Sequence, residues 1–427
     1  MTLFLVVALV LLLVLGFPMF IVMLLPSLMA LPIYYGHIPD FTLVQRAISG
    51  VVPFPLVAIP LFIFAADISM KGQMSKRLIN LAEKLVGHKT GGFAQTTVLS
   101  SIIFGAVSGS TQATVAAIGS NIYPTMLERG YKRSFTMALV INSSNVAQLI
   151  PPSIFMIVYG VITGTSIAAL FIAGLIPGIT LGLGYMMYSW WWAKKYKIPR
   201  TERATVKEIG KAAKEALGPL GFILIIIGGI YGGIFTPTEA AAAAVAYSMF
   251  LELIIYRALR IRDIGRIALG SSVTMAMLLI LVGGSEAFIW LLTVARVPHE
   301  VTTLLHNINP SPILFLLIIN VVFFLVLMVF NPISAMIVLT PLLMPMAQHL
   351  GIDPVHLGIL ITLNAAIGSA TPPFGVDIFT ACAIFRQPYH VVISGVTPFI
   401  AIGVGVLVFL TFTEDLVLFL PRLLASY

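Results

Sequence analysis

Gly105-Ala-Val-Ser-Gly-Ser-Thr-Gln-Ala-Thr114, followed by Asn142-Ser-Ser-Asn-Val-Ala-Gln-Leu-Ile-Pro-Pro152, sets polar, helix-breaking residues inside apolar sequence. A second pair of stretches has the same character: Val329-Phe-Asn-Pro-Ile-Ser334, then Asn364-Ala-Ala-Ile-Gly-Ser-Ala-Thr-Pro-Pro373. The two pairs register when the chain is slid against itself by 221 residues. Pro124 then falls on Pro345, Gly130 on Gly351, Ser143 on Asn364 and Pro151-Pro152 on Pro372-Pro373. Gly174, Pro177 and Gly182 fall on Gly395, Pro398 and Gly403. Gly and Pro coincidence over that length without a gap marks an internal duplication.

Of the 427 residues, 59% are hydrophobic and 9% charged, with a mean hydropathy of +1.05. Soluble domains carry about 25% charged residues. The chain therefore reads as an all-α polytopic membrane protein, not as a set of soluble domains. The net charge of +8 is assigned to loop anchors at the membrane face and not to nucleic acid. The single Cys382 excludes an intrachain disulfide framework. Met1 to Met29 is apolar, with no basic leader or small-residue cleavage site, and reads as a retained membrane segment.

A span needs about 20 residues. The apolar pieces 93–106 and 110–124 are too short to cross singly, and so are 134–149 and 152–165. The first pair predicts a re-entrant hairpin over 93–124 with Ser108 to Thr111 at its tip. The second predicts one crossing helix over 134–165, broken near Gln148-Leu149-Ile150. The second copy repeats this with a hairpin over 312–348, its tip near Asn331, and a helix over 356–385 broken near Gly368 to Thr371. Residues 1–192 and 218–427 are then two repeats joined by 193–217. The polar part of that linker, 199–217, is expected as a separate amphipathic helix on the lipid surface. The segments 71–92, 128–133, 194–214 and 257–266, read as loops, together with Arg386 hold 21 of the 24 Lys and Arg. Placing them all on one side makes that side the cytoplasm. The two hairpins then enter from opposite faces, so the repeats have inverted topology and the C-terminus is periplasmic. A turn is expected at Gly16-Phe17-Pro18.

Half-helices are expected to start after the Ser-Gly-Ser-Thr tip, at Pro151, at Asn331-Pro332 and at Thr371-Pro372. Asn and Thr suit the cap and Pro the first helical position. Helix starts present free amides and partial positive charge, a ready site for a carboxylate. The halves that end at the breaks offer free carbonyls. With Asn142, Ser143, Asn145 and Asn364 these make an oxygen-rich cage suited to sodium. Inverted repeats with broken helices meeting at midplane are the pattern of a secondary transporter. Thr236-Pro-Thr-Glu239 reads as a capped helix start. Glu286 and Asp377 are the titratable candidates within apolar sequence, whereas Asp67 and Glu252 read as interfacial. No His-Glu-x-x-His and no Gly-x4-Gly-Lys-Ser/Thr string occurs, so the chain is not expected to be an enzyme or to hold an organic cofactor.

At these motifs the chain resembles the large membrane subunit of tripartite ATP-independent periplasmic (TRAP) transporters. The resemblance rests on Gly105 to Val115, Asn142-Ser-Ser-Asn, Ile150-Pro-Pro-Ser, Gly233-Ile-Phe-Thr-Pro-Thr-Glu-Ala-Ala and Thr371-Pro-Pro-Phe-Gly, and runs nearly end to end. It implies sodium-coupled uptake of an organic acid across the bacterial inner membrane by an elevator motion. It also implies a small four-helix membrane subunit and a periplasmic substrate-binding protein. Carried over, one sodium site involves Ser108, Ser110, Asn142 and Asn145, and the other Asn331, Asn364, Gly368 and Thr371. Substrate is expected between the tips, near Ser108, Gly109, Ser110, Thr111, Gln148, Pro151, Ser369, Thr371 and Pro372. The overall resemblance favours sialic acid (N-acetylneuraminate) as the substrate, and the polar but uncharged tips fit a monocarboxylate sugar acid slightly better than a dicarboxylate. The alternatives are a C4-dicarboxylate carrier of the same family, a stand-alone sodium/proton antiporter and a non-transporting membrane scaffold.

Overall fold

The computed structural model describes residues 1–39, 41–297, 299–300 and 310–424, and all regular structure among them is helical. Residues 301–309 and 425–427, which the sequence pattern includes in the second repeat, lie outside the described residues.

The chain begins with α1 (Thr2–Val14), α2 (Met19–Tyr34), α3 (Phe41–Val51), α4 (Ala58–Lys71) and α5 (Met74–Val86). Gly16, at φ +78°, makes the expected turn between α1 and α2. The expected span over 50–70 is divided: Pro53 and Pro55 separate α3 from α4. The stretch 71–92, expected as a charged loop, contains α5. Its Leu78, Leu81, Ala82 and Val86 form a buried face at helical spacing, while Lys76 lies exposed. Four charged side chains of α5, Lys76, Arg77, Glu83 and Lys84, hide that stripe from a reading of hydropathy alone.

Next come α6 (Gly92–Ser108), α7 (Thr111–Glu128), α8 (Arg133–Ser144), α9 (Ile154–Thr163) and α10 (Ile167–Lys195). Then follow α11 (Val206–Tyr231), α12 (Pro237–Phe250) and α13 (Ile261–Val294). The polar linker is not a separate surface helix. It is the first half of α11, which runs unbroken through Pro219. Pro219 cannot donate to the Glu215 carbonyl one turn back, and Arg77 Nη1 donates there instead at 3.2 Å. Capping boxes at Thr205/Glu208 and Thr236/Glu239 start α11 and α12, the second as expected.

The second half closes with α14 (Pro312–Leu327), α15 (Pro332–His349), α16 (Pro354–Ser369), α17 (Val376–Phe385), α18 (Tyr389–Ile393), α19 (Thr397–Phe412) and α20 (Glu414–Leu424). Both ends of α7 fall on those of α15 at the 221-residue offset. Both Pro-Pro bonds, 151–152 and 372–373, are cis. Among the described residues, five helical runs are long and apolar enough to cross a membrane, namely Phe54–Lys71, α10, α11, Pro237–Ile255 and α13, and the bent pair α19 and α20 makes a sixth if taken as one span.

Two bodies pack together. α2 and α3 pack on α13, and α1 on α2, around Met23, Leu31, Leu43, Phe288 and Leu291. α4 packs on α12 and α5 on α11, which completes an outer frame. Inside it the two copies are crossed: α7 packs on α17, and α15 packs on α9. The second arm of each hairpin thus lies on the second half of the other copy's broken helix.

Candidate functional site

The first tip is made by three residues. α6 ends at Ser108, Gly109 turns the chain at φ +58°, and Ser110 caps α7 by accepting from the Ala113 amide at 3.4 Å. The Ser108 and Thr114 hydroxyls lie 2.9 Å apart, and Thr114 donates to the Ser110 carbonyl at 2.8 Å. A side chain at Gly109 would collide with the Pro152 carbonyl, so this tip is seated on the Pro-Pro turn of its own repeat. The second tip is seated in a corresponding way, because the Phe374 amide donates to the Met328 carbonyl at 3.1 Å. There Asn331 Oδ1 caps α15, accepting from Ile333 at 3.0 Å. Ser110 and Asn331 occupy the same place in the two copies, 221 residues apart.

The Pro-Pro turns do not start the half-helices. α9 begins at Ile154 with Ser153 as its cap, and α17 at Val376 after Gly375. A residue before proline is disfavoured in the helical region, so the helices begin beyond the Pro-Pro pairs. Thr371 caps nothing, since its hydroxyl donates back to the Ile367 carbonyl at 2.7 Å.

Both tips open on one cavity of about 550 Å3. Ser108, Gly109, Ser110 and Thr111 line it from the first tip, Asn331 from the second, and Gln148 and Ser369 from the two breaks. Pro151, Thr371 and Pro372, expected at the substrate, are absent from the lining. The far wall belongs to the frame, with Asp67 and Met70 from α4 and Thr274 and Met277 from α13. Asp67, expected at the interface, thus faces this cavity. It accepts from the Ser271 hydroxyl at 2.6 Å and, among the described residues, is the only charged one of the lining, with no Lys or Arg. A lone acid on an otherwise apolar helix was its signal.

Behind the tips lie the asparagines. Asn142 donates to the Ala138 carbonyl at 2.9 Å, and its Oδ1 is buried without a partner, as is Asn145 Oδ1. In the second copy Asn364 donates to Asn320 Oδ1 at 2.9 Å, Asn320 donates to the Thr411 hydroxyl at 2.8 Å, and Asn364 Oδ1 is left without a partner. Ser143, the counterpart of Asn364, meets Ser101 of α6 at 3.2 Å, so each copy ties its hairpin to its broken helix at the same position. Gly368 packs on Leu327 of α14, with no room for a side chain. Asn331 and Ser110 serve as helix caps, which engages the side-chain oxygens expected to face an ion. Buried oxygens without donors are costly. A hard monovalent cation is what a neutral set of this kind would accept.

Two acids remain. Asp377 is fully buried; it accepts from the Thr111 hydroxyl at 2.7 Å and its other oxygen has no partner. Glu286 lies against Gly50 of α3 in the frame, away from the cavity lining.

Comparison with known proteins is decisive for the family. The model of the tripartite ATP-independent periplasmic transporter, DctM component, matches residues 6–416. The chain is 45% identical over 418 residues to the ectoine/5-hydroxyectoine TRAP transporter large permease protein of Ruegeria pomeroyi, covering 98% of each. It is 46% identical over 424 residues to the ectoine TRAP transporter large permease protein of Halomonas elongata, covering 99% of each. The C4-dicarboxylate TRAP transporter large permease protein of Pseudomonas aeruginosa is 37% identical, with 86% of each chain covered. Among solved structures, the YdaH transporter of Alcanivorax borkumensis has a similar fold, with a TM-score of 0.58 at 14% identity over 88% of this chain and 87% of that one. The chain therefore belongs to the DctM family, the large permeases of TRAP transporters, which are multi-pass proteins of the inner membrane.

Proposed function

We propose that this permease imports a compact zwitterionic carboxylate of the ectoine type, coupled to sodium, by an elevator motion. Like other TRAP large permeases, it works with a small membrane subunit and a periplasmic substrate-binding protein. The observation that carries the reading is the cavity: two capped helix starts and one carboxylate face each other across it, with no Lys or Arg in the lining. The helix starts suit a carboxylate, and Asp67 suits a delocalised cation on the same small molecule. The names of the two relatives covered almost end to end agree with this chemistry. Sialic acid, expected from the overall resemblance, gains no support from them. A C4-dicarboxylate would bring two negative charges to a wall that holds Asp67 and no cation.

The equivalent bounds of α7 and α15 and the crossed packing of the copies support two inverted repeats, with hairpins and broken helices as the moving part and the α1–α5 and α11–α13 frame as scaffold. The partnerless oxygens of Asn142, Asn145 and Asn364 support sodium as the coupling ion. The basic loops belong on the cytoplasmic side in this reading.

The test is uptake into proteoliposomes that hold this chain and its small subunit, with the binding protein outside. Labelled ectoine, N-acetylneuraminate and succinate are compared under an inward sodium gradient. Ectoine uptake that needs both sodium and the binding protein is expected. Uptake of succinate or sialic acid in preference to ectoine would replace the substrate. Uptake driven by a proton gradient alone would remove sodium and move attention to Asp377.

A further inference from the structure

A second cleft joins charge to apolar surface. It has a volume of about 650 Å3 and lies between α5, α11 and the end of α12. Arg77, Lys211 and Lys214 line it, with Glu215 as the one acid of the lining. Among the described residues, no carboxylate lies within ion-pair distance of any of the three cations. Arg77 is held in place: besides its bond to the Glu215 carbonyl, its guanidinium lies 3.9 Å over the Tyr256 ring. Tyr256 reaches this position because Gly218 has no side chain to meet its hydroxyl.

The other wall is apolar, made by Phe250, Leu251 and Ile255. Phe250 and Ile255 continue onto an exposed apolar face with Ile254. The cleft also sits at a boundary along the chain. α11 passes from Lys207, Lys211 and Lys214 to the apolar run from Phe222 to Ile230, and the apolar run of α12 ends just before Arg257 and Arg260. A cleft at that level opens to lipid headgroups on one side and to acyl chains on the other.

We propose that this cleft binds an anionic phospholipid, with its phosphate among Arg77, Lys211 and Lys214 and its chains along Phe250 and Ile255. Clustered cations at the membrane surface attract acidic headgroups, and a fixed arginine is the better of the basic residues at holding a phosphate. A free phosphate would leave the apolar wall without a partner.

The complex of this chain with its small subunit would be exchanged into nanodiscs of phosphatidylethanolamine with added phosphatidylglycerol, and retained lipid counted by native mass spectrometry. Wild type should keep phosphatidylglycerol in preference to phosphatidylethanolamine. The Lys211→Gln/Lys214→Gln double variant should lower that preference about tenfold. Lys76→Gln/Lys207→Gln, which leaves the three lining cations in place, should keep it. Arg77 is spared in both because it also supports α11. Equal loss in both variants would reduce the effect to general surface charge and overturn the site. Retention of both lipids alike in wild type would overturn it too. Displacement of phosphatidylglycerol by millimolar inorganic phosphate would replace the lipid with a free anion. This chain without its small subunit is exchanged in parallel, and phosphatidylglycerol retained there but lost in the complex would assign the cleft to that subunit and overturn the site.

Discussion

At the scale of the residue, two glycines separate conformation from contact. Gly109 and Gly130 both have positive φ, at +58° and +85°. Gly109 faces the Pro152 carbonyl, whereas nothing lies within 4 Å of a side chain placed at Gly130. Gly130→Ala should cost about 1–2 kcal/mol, the backbone term alone, with uptake intact. Gly109→Ala adds a collision with fixed backbone, so uptake should fall at least about tenfold, with a further loss of thermal stability of about 1–3 kcal/mol. Uptake and melting temperature on both variants check this. The asparagines give a second contrast. Asn142→Ala/Asn145→Ala removes two partnerless oxygens, and the half-saturating sodium concentration should rise about tenfold, a change of about 1.4 kcal/mol, while lithium or proton gradients do not rescue it. An unchanged sodium dependence would place the ion elsewhere. The asparagines and tips were legible in the sequence because polar residues inside apolar helices stand out. The place of Asp67 in the cavity wall was not legible, because position along a helix does not tell which face meets a cavity. That depends on α13, more than 200 residues away.

At the scale of the element, the breaks and the amphipathic character of 199–217 were legible, whereas α5 and the continuation of that helix through Pro219 were not. Gly109, Ser110 and Asn331-Pro332 mark the hairpin tips by chemistry that acts within one turn. α5 and the first half of α11 carry charge on one face and are buried on the other, so hydropathy reads the first as a loop and the second as a helix on the lipid surface. They stand as helices because they pack on each other. Pro219 shows how such packing overrides a local rule. Its missing donor is replaced by Arg77 from α5. Arg77→Ala should therefore lower stability by about 1–3 kcal/mol, the cost of leaving the Glu215 carbonyl unbonded. Pro219→Ala restores a backbone donor and should recover most of that loss in the double variant. Thermal unfolding of the two single variants and the double variant completes the cycle. A loss that Pro219→Ala does not recover would trace the effect of Arg77 to its stacking on Tyr256 instead.

At the scale of the whole molecule, an interior of two crossed copies faces an outer frame across one cavity. α4 and α13 supply the wall of the frame, and the tips supply the wall of the interior. A ligand held there touches both bodies, so its binding free energy can bias how one is placed against the other. The proposed motion needs no rearrangement inside the interior, where α7 on α17 and α15 on α9 lock the copies together. That lock bears on inheritance. The proposed duplication implies an ancestor half as long, whose product had to find its crossed partner in a second molecule. Divided again between α10 and α11, in the exposed stretch around Arg200, the two half-genes should yield nothing stable when expressed singly. Expressed in the same cell they should yield a transporter that co-purifies as one. Recovery of either half alone as a folded protein would mean that each copy has since learned to stand by itself.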